Sequence, residues 1–135
     1  MSAADNSWMS EWERMTGRVS ESVSDLREMS PAAEESYRNL RSWIYQDRPD
    51  GLSRANKELV MIVMNISLGR KDGAIRHLNN GLKHGLTITQ VREAMSLCFL
   101  FQGVSGWLET GQAVWQACAK TLKRDATSVA DEAPR

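Results

Sequence analysis

The sequence predicts an all-α fold, a single-domain bundle of about six helices. Three observations carry that expectation. Apolar residues recur at spacings of three and four along most of the chain, the period of a helix face. Helix start and stop residues interrupt the pattern where a bundle needs its connections. No segment shows the two-residue alternation of a half-buried strand, and no internal repeat occurs.

Taken in order, Trp8, Trp12, Met15, Val19, Val23 and Leu26 form one stripe, opposite Glu11, Arg14, Arg18, Glu21, Asp25 and Glu28. A membrane-surface helix carries an excess of Lys and Arg on its polar face. Residues 1–30 hold six acids against three bases, so packing on the core or on a second subunit is the better reading. Ser30 then serves as N-cap and Pro31 as the first residue of a second helix, where a missing N–H costs nothing. That helix is expected to carry Tyr37, Leu40, Trp43 and Ile44 inward and to break at Asp47-Arg48-Pro49-Asp50-Gly51. Ser53 caps a third helix. Its centre, LVMIVM (Leu59–Met64), is apolar on nearly every side and is expected to be buried all round, within the domain or against another subunit.

After Gly69 a fourth helix starts around Lys71–Asp72, with Asp72 as a candidate N-cap, and stops at His84-Gly85. Glycine there supplies the left-handed C-terminal cap. Thr87-Ile88-Thr89-Gln90 fits a capping box opening a fifth helix through Val91, Ala94, Met95, Cys98 and Phe99, with Gln102 at its end. Gly103-Val104-Ser105-Gly106 reads as a bend, and Trp107 to about Leu122 as the last helix. From Arg124 the chain is polar and is read as a disordered tail.

At 135 residues the chain is long enough for one modest core. Seventeen basic residues balance seventeen acidic ones, so no charged field points to nucleic acid or anionic lipid. The N-terminal segment has Asp5, Glu11 and Glu13 where a signal peptide carries positive charge and an apolar run. The longest apolar run falls far short of the roughly 20 residues that cross a bilayer. The expectation is a cytoplasmic protein. Its two cysteines, Cys98 and Cys118, form no C-x-x-C and lack metal-ligand spacing; in apolar helices they read as buried thiols. No metal site is expected.

Acid–base chemistry has one place to concentrate. Glu58 stands directly before the apolar run and shares a helical face with Ile62 and Asn65. It reads either as a first-turn acid that stabilises the helix N-terminus or as a carboxyl whose pKa burial raises toward neutrality. His77 shares its face with Gly73, Asn80, Gly81 and His84. The two glycines leave room for a ligand or for a closely packed helix. His84, at a helix C-terminus, reads as structural. Trp43 and Trp107 stand beside bends, where they can wall a pocket, whereas Trp8, Trp12 and Trp115 sit on stripes. No GxGxxG, P-loop, HExxH, CxxC or GxSxG is present, so nucleotide-cofactor, zinc-protease and serine-hydrolase readings have no support.

Glu58-Leu59-Val60, then LGRKDGAIRHLNNGLKHGLT (Leu68–Thr87), then Val91-Arg92-Glu93-Ala94-Met95 and Phe101-Gln102-Gly103-Val104, resembles the carboxymuconolactone decarboxylase family. The resemblance covers about residues 30–120 and is moderately specific, because order, spacing and cap residues all agree. It divides the chain into an N-terminal helical extension (1–29), a family-like domain (30–122) and the tail (123–135). It implies a fold of the alkylhydroperoxidase D-like type, assembled into homo-trimers or hexamers with sites near subunit contacts. Alkylhydroperoxidase D-like proteins carry a C-x-x-C that ends four residues before the matching histidine. Here those positions hold Arg70 and Gly73, which removes a thiol peroxidase cycle. Other departures are Gly73 where an acid often stands, with Asp72 beside it, Ser105 for a proline, and Trp107 for a small residue.

The implied reaction needs no cofactor. When a carboxylated butenolide loses carbon dioxide, the electron pair flows through the ring double bond into the lactone carbonyl. The protein has to stabilise a dienolate and deliver a proton to carbon. The resemblance makes His77 the proton donor and Glu58 its orienter or relay. Arg70 or Lys71 is a carboxylate anchor, and Trp43, Gln102 and Trp107 are pocket residues. The expected partner is a small-molecule carboxylate, with neither nucleic acid nor membrane. Two alternatives stand beside this reading. One is another acid–base isomerase or dehydratase; the other is a non-catalytic helical oligomer that binds a small ligand or a protein.

Overall fold

In a computed structural model of the protein, described over residues 21–131, helices follow one another with short connections. They are α1 (Glu21–Met29), α2 (Pro31–Tyr45), α3 (Arg54–Ser67), α4 (Lys71–Lys83), α5 (Ile88–Gly106), a π-helical turn (Trp107–Gly111) and α6 (Gln112–Asp131). No strand occurs among the described residues, in keeping with the all-α expectation. The chain divides between Gln46 and Asp47 into two compact units. That division falls at the Asp47–Gly51 break. Trp8, Trp12, Met15 and Val19, and the end of the polar tail at 132–135, lie outside the described residues.

The first unit contains α1 and α2. Val23 and Leu26 are the half-buried positions of α1, as the stripe requires. The Ser30 hydroxyl accepts from the Ala33 N–H at 3.2 Å, and Pro31 occupies the first turn. Tyr37, Leu40, Trp43 and Ile44 do not point inward; all four are exposed. A helical stripe reports that a face is apolar, not which element covers it. The buried side chain of α2 is Glu34, which pairs with the Arg38 guanidinium one turn later.

The second unit is built around Ile62 and Ile66 of α3, Ala74 and Leu78 of α4, Leu86, Val91, Met95 and Cys98 near and along α5, and Val114 and Cys118 of α6. Full burial of a side chain such as Leu78 contributes about 1.5–3 kcal/mol. Both cysteines are free and buried, and burial pushes their thiols up. The central helix α3 is not buried all round. Val60, Met64 and Leu68, one turn apart, form an exposed stripe opposite Ile62 and Ile66. A second exposed stripe on α5 includes Leu97, Phe101 and Val104, with Phe101 92% exposed.

Local chemistry sets the connections. Ser53 caps α3 through the Asn56 N–H at 3.1 Å. At both Gly69 (φ +70°) and Gly85 (φ +94°) the chain enters the left-handed region. Each helix end closes in a Schellman motif: Arg70 N–H donates to Asn65 C=O and Leu86 N–H to Gly81 C=O, both at 2.8 Å. Thr87 and Gln90 form the complete capping box. Gly103, at φ +67° and ψ −162°, breaks α5 where the bend is expected. The last helix then continues through Arg124 to Asp131. No helix-stopping residue stands at 124, so polarity alone does not end it. No helix of the described residues is long and apolar enough to cross a membrane.

Candidate functional site

The hairpin of α3 and α4 brings the two candidate catalytic residues together. Their antiparallel register sets Asn65 opposite Gly73 and Glu58 opposite both His77 and Gly81. A Cβ on Gly81 would lie 2.8 Å from Leu86 Cδ2 and 3.3 Å from Glu58 Cβ, and one on Gly73 would collide with the Asn65 amide oxygen. The small residues therefore serve close helix packing, one of the two uses open to them. Each stands one turn from His77, so the imidazole sits between two points of closest approach.

Glu58 is fully buried, with 0% of its surface exposed. Its Oε2 lies 2.6 Å from His77 Nδ1 and its Oε1 accepts from Arg54 Nε at 2.9 Å. Burial alone would raise the carboxyl pKa. The hydrogen bonds and charges of His77 and Arg54 outweigh it and hold Glu58 below its ordinary value. Of the two readings open to Glu58, the raised pKa is therefore not met. A carboxylate accepts but does not donate, so Nδ1 carries the proton of the shared bond. A ring that carries its proton on Nδ1 alone keeps its lone pair on Nε2, which has no hydrogen-bond partner among the described residues. The His77 side chain is 19% exposed, so the buried carboxylate orients a ring that reaches the surface.

Arg54 is the member of this cluster that sequence reasoning missed. Its signal was available: an arginine four residues before a glutamate on one helix. That order is the poorer one for helix stability, and a cation is unfavourable in a first turn. The pair is better explained by the need of a buried carboxylate for charge-assisted donors.

The other predicted residues lie elsewhere. Arg70 is the N-cap of α4, without a side-chain cap bond, and Asp72 falls inside the first turn. Lys71 opens the helix about 9 Å along its axis from His77, at 1.5 Å per residue. Both Arg70 and Lys71 are exposed. Trp43 belongs to the first unit and is exposed. Gln102 and Trp107 flank the Gly103 break and line a narrow crevice of about 10 Å³ with Met95 and Cys98, a crevice that Glu58 and His77 do not line. His84 Nδ1 donates to its own helix at Asn80 C=O, 2.8 Å away, as a structural residue does. No group of three His, Cys, Asp or Glu placed to hold a metal ion occurs among the described residues.

A buried, ionised glutamate oriented on a histidine across a helical hairpin is joined by a decisive likeness. Residues 31–116 match the model of the carboxymuconolactone decarboxylase family. The chain belongs to the carboxymuconolactone decarboxylase family. Among solved structures it is similar to a provisionally assigned carboxymuconolactone decarboxylase from Burkholderia xenovorans LB400. The two superimpose with a TM-score of 0.71 at 22% sequence identity, over 87% of this chain and 90% of that one. This similarity supports the helical family fold. The curated proteins contain no match.

Proposed function

We propose that the protein is a cofactor-independent lyase that decarboxylates a small carboxylated lactone or a related carbonyl acid. The observation that carries the reading is the 2.6 Å pair of the ionised, buried Glu58 and His77 Nδ1. It leaves Nε2 as the nitrogen for proton transfer.

In this reading the substrate's own carboxylate is anchored at the start of α4 by Arg70 or Lys71. The bond between the carboxyl carbon and the ring breaks. Its electron pair moves through the double bond into the lactone carbonyl, and carbon dioxide leaves. His77, protonated from solvent, delivers a proton from Nε2 to the dienolate carbon. Glu58 stabilises the imidazolium before transfer and holds the ring in one tautomer after it.

The exposed stripes of α3 and α5 support a homo-oligomer, a trimer or hexamer, since isolated proteins rarely leave contiguous large apolar patches uncovered. The reading places the reaction in the cytoplasm, within the breakdown of aromatic-derived acids. The test is carbon dioxide release from carboxylated butenolides by the purified protein. Turnover that disappears in His77→Ala supports the proposal. No turnover, or full turnover by His77→Ala, overturns it.

A further inference from the structure

The second unit holds another built feature, away from Glu58 and His77. An open groove of about 460 Å³ is lined by Arg92, Met95, Ser96, Phe99, Trp107 and Trp115. Its volume falls within the range of small-molecule sites, and four of its six lining residues are aromatic or apolar. The narrow crevice behind Met95, Phe99 and Trp107 has room for about one water, so a ligand would stay in the groove.

The backbone here departs from regular helix twice. Gly103 breaks α5, and a π-helical turn runs from Trp107 to Gly111. Such turns cost hydrogen-bond geometry and are frequent at functional sites. The turn is also tied to the ring that walls the groove. A Cβ on Gly111 would stand 3.0 Å from Trp107 Cε3, so glycine allows the indole to lie against the helix.

Arg92 is the groove's one charged lining residue. Its guanidinium carbon sits 5.4 Å from the centre of the Trp115 ring. It forms no ion pair among the described residues. A cation held over a ring in this way still has N–H donors that the ring does not use. Ser96 has already committed its hydroxyl proton to Arg92 C=O at 2.7 Å. A forked cation beside aromatic walls fits a flat ring bearing a carboxylate.

The geometry points to this groove as a binding site for a planar carboxylate, with Arg92 as the anion anchor and Trp107 and Trp115 as walls. The site is distinct from the Glu58–His77 pair and does not rest on the decarboxylase reading.

Benzoate is a suitable probe, with benzamide (ring without charge) and acetate (charge without ring) as controls. Binding to the full-length protein is read by indole cross-peaks in NMR, assigned with Trp107→Phe and Trp115→Phe. Saturable shifts at both tryptophans are expected for benzoate, with benzamide and acetate about tenfold weaker, the scale of one charge-assisted fork. Arg92→Gln should reduce benzoate binding to the benzamide level, and Arg92→Lys should restore part of it. These surface changes leave the core intact, which circular dichroism verifies. No saturable shift at Trp107 and Trp115, or undiminished benzoate binding by Arg92→Gln, overturns the inference. So does loss of binding in His77→Ala, which would assign the ligand to the catalytic pair.

Discussion

Glu58 Oε2 and His77 Nδ1 are 2.6 Å apart across the α3–α4 hairpin, although 19 residues separate them in the chain. The pair couples folding to chemistry, because the same bond that fixes the imidazole also satisfies a fully buried carboxylate. Glu58→Gln keeps the shape and removes the charge. In the proposed reaction the rate should fall by about 10²–10⁴, the usual worth of a positioned acid–base group. Urea unfolding should show a loss of about 1–3 kcal/mol from imperfectly matched buried polar atoms. Unchanged turnover with wild-type stability would remove Glu58 from the mechanism.

The pH dependence follows from the same group. Glu58 is held below its ordinary value of 4.5, so the folded state favours the ionised form. Its stabilising contribution is complete above the unfolded pKa and disappears as the pH falls through the lower folded one. The stability gap between wild type and Glu58→Gln should therefore close as the pH falls below the ordinary carboxyl value of 4.5 and Glu58 takes up its proton. Urea midpoints for both proteins across that range measure it. A gap that widens toward low pH would contradict a depressed Glu58.

Much of this architecture was legible because it is written in neighbouring residues. Ser30, Ser53, Thr87 with Gln90, and Gly85 all act within one turn of their own position, and each cap forms as its residue type requires. The pairing of Glu58 with His77 was legible through the family resemblance, which makes Glu58 the orienter of the histidine. The direction of the Glu58 shift was not, because burial was visible locally while Arg54 and His77 compensate for it through tertiary geometry. Val60, Met64 and Tyr37 were misplaced for a related reason: periodicity identifies an apolar face without naming its cover. The π-helical turn at Trp107 has no local sequence signature comparable to a cap.

Arg54 should prove a positioning residue. Removing its guanidinium leaves the burial of Glu58 and deletes one of the two groups that oppose it. Carbon-13 NMR should show the Glu58 carboxyl titrating at higher pH in Arg54→Gln, with Arg54→Lys restoring part of the difference. Identical titration in all three proteins would reduce Arg54 to a surface partner.

Gly81 sets the distance between the two helices at the site. Alanine there improves helix propensity by about 1 kcal/mol but drives its Cβ into Leu86 and toward Glu58. Overpacking in such a place costs about 1–3 kcal/mol, so Gly81→Ala should be net destabilising and should displace His77 from Glu58. Thermal denaturation and the His77 ring resonances measure the two effects. A more stable variant with unchanged resonances would show that Leu86 yields without moving the helix.

The exposed α5 stripe leads to a prediction about assembly. Phe101 is 92% exposed in the single chain, so replacing it with lysine removes no intrachain packing of consequence. An exposed substitution of this kind usually changes stability by no more than about 0.5 kcal/mol. In an assembled protein the same lysine would carry its charge into an apolar contact, where desolvation is costly. Phe101→Lys should therefore retain its helical spectrum while shifting from oligomer to monomer in sedimentation velocity. Met64→Lys on the α3 stripe tests the second face independently. If wild type sediments as a monomer, or if both variants keep its oligomeric state, these stripes are not subunit contacts.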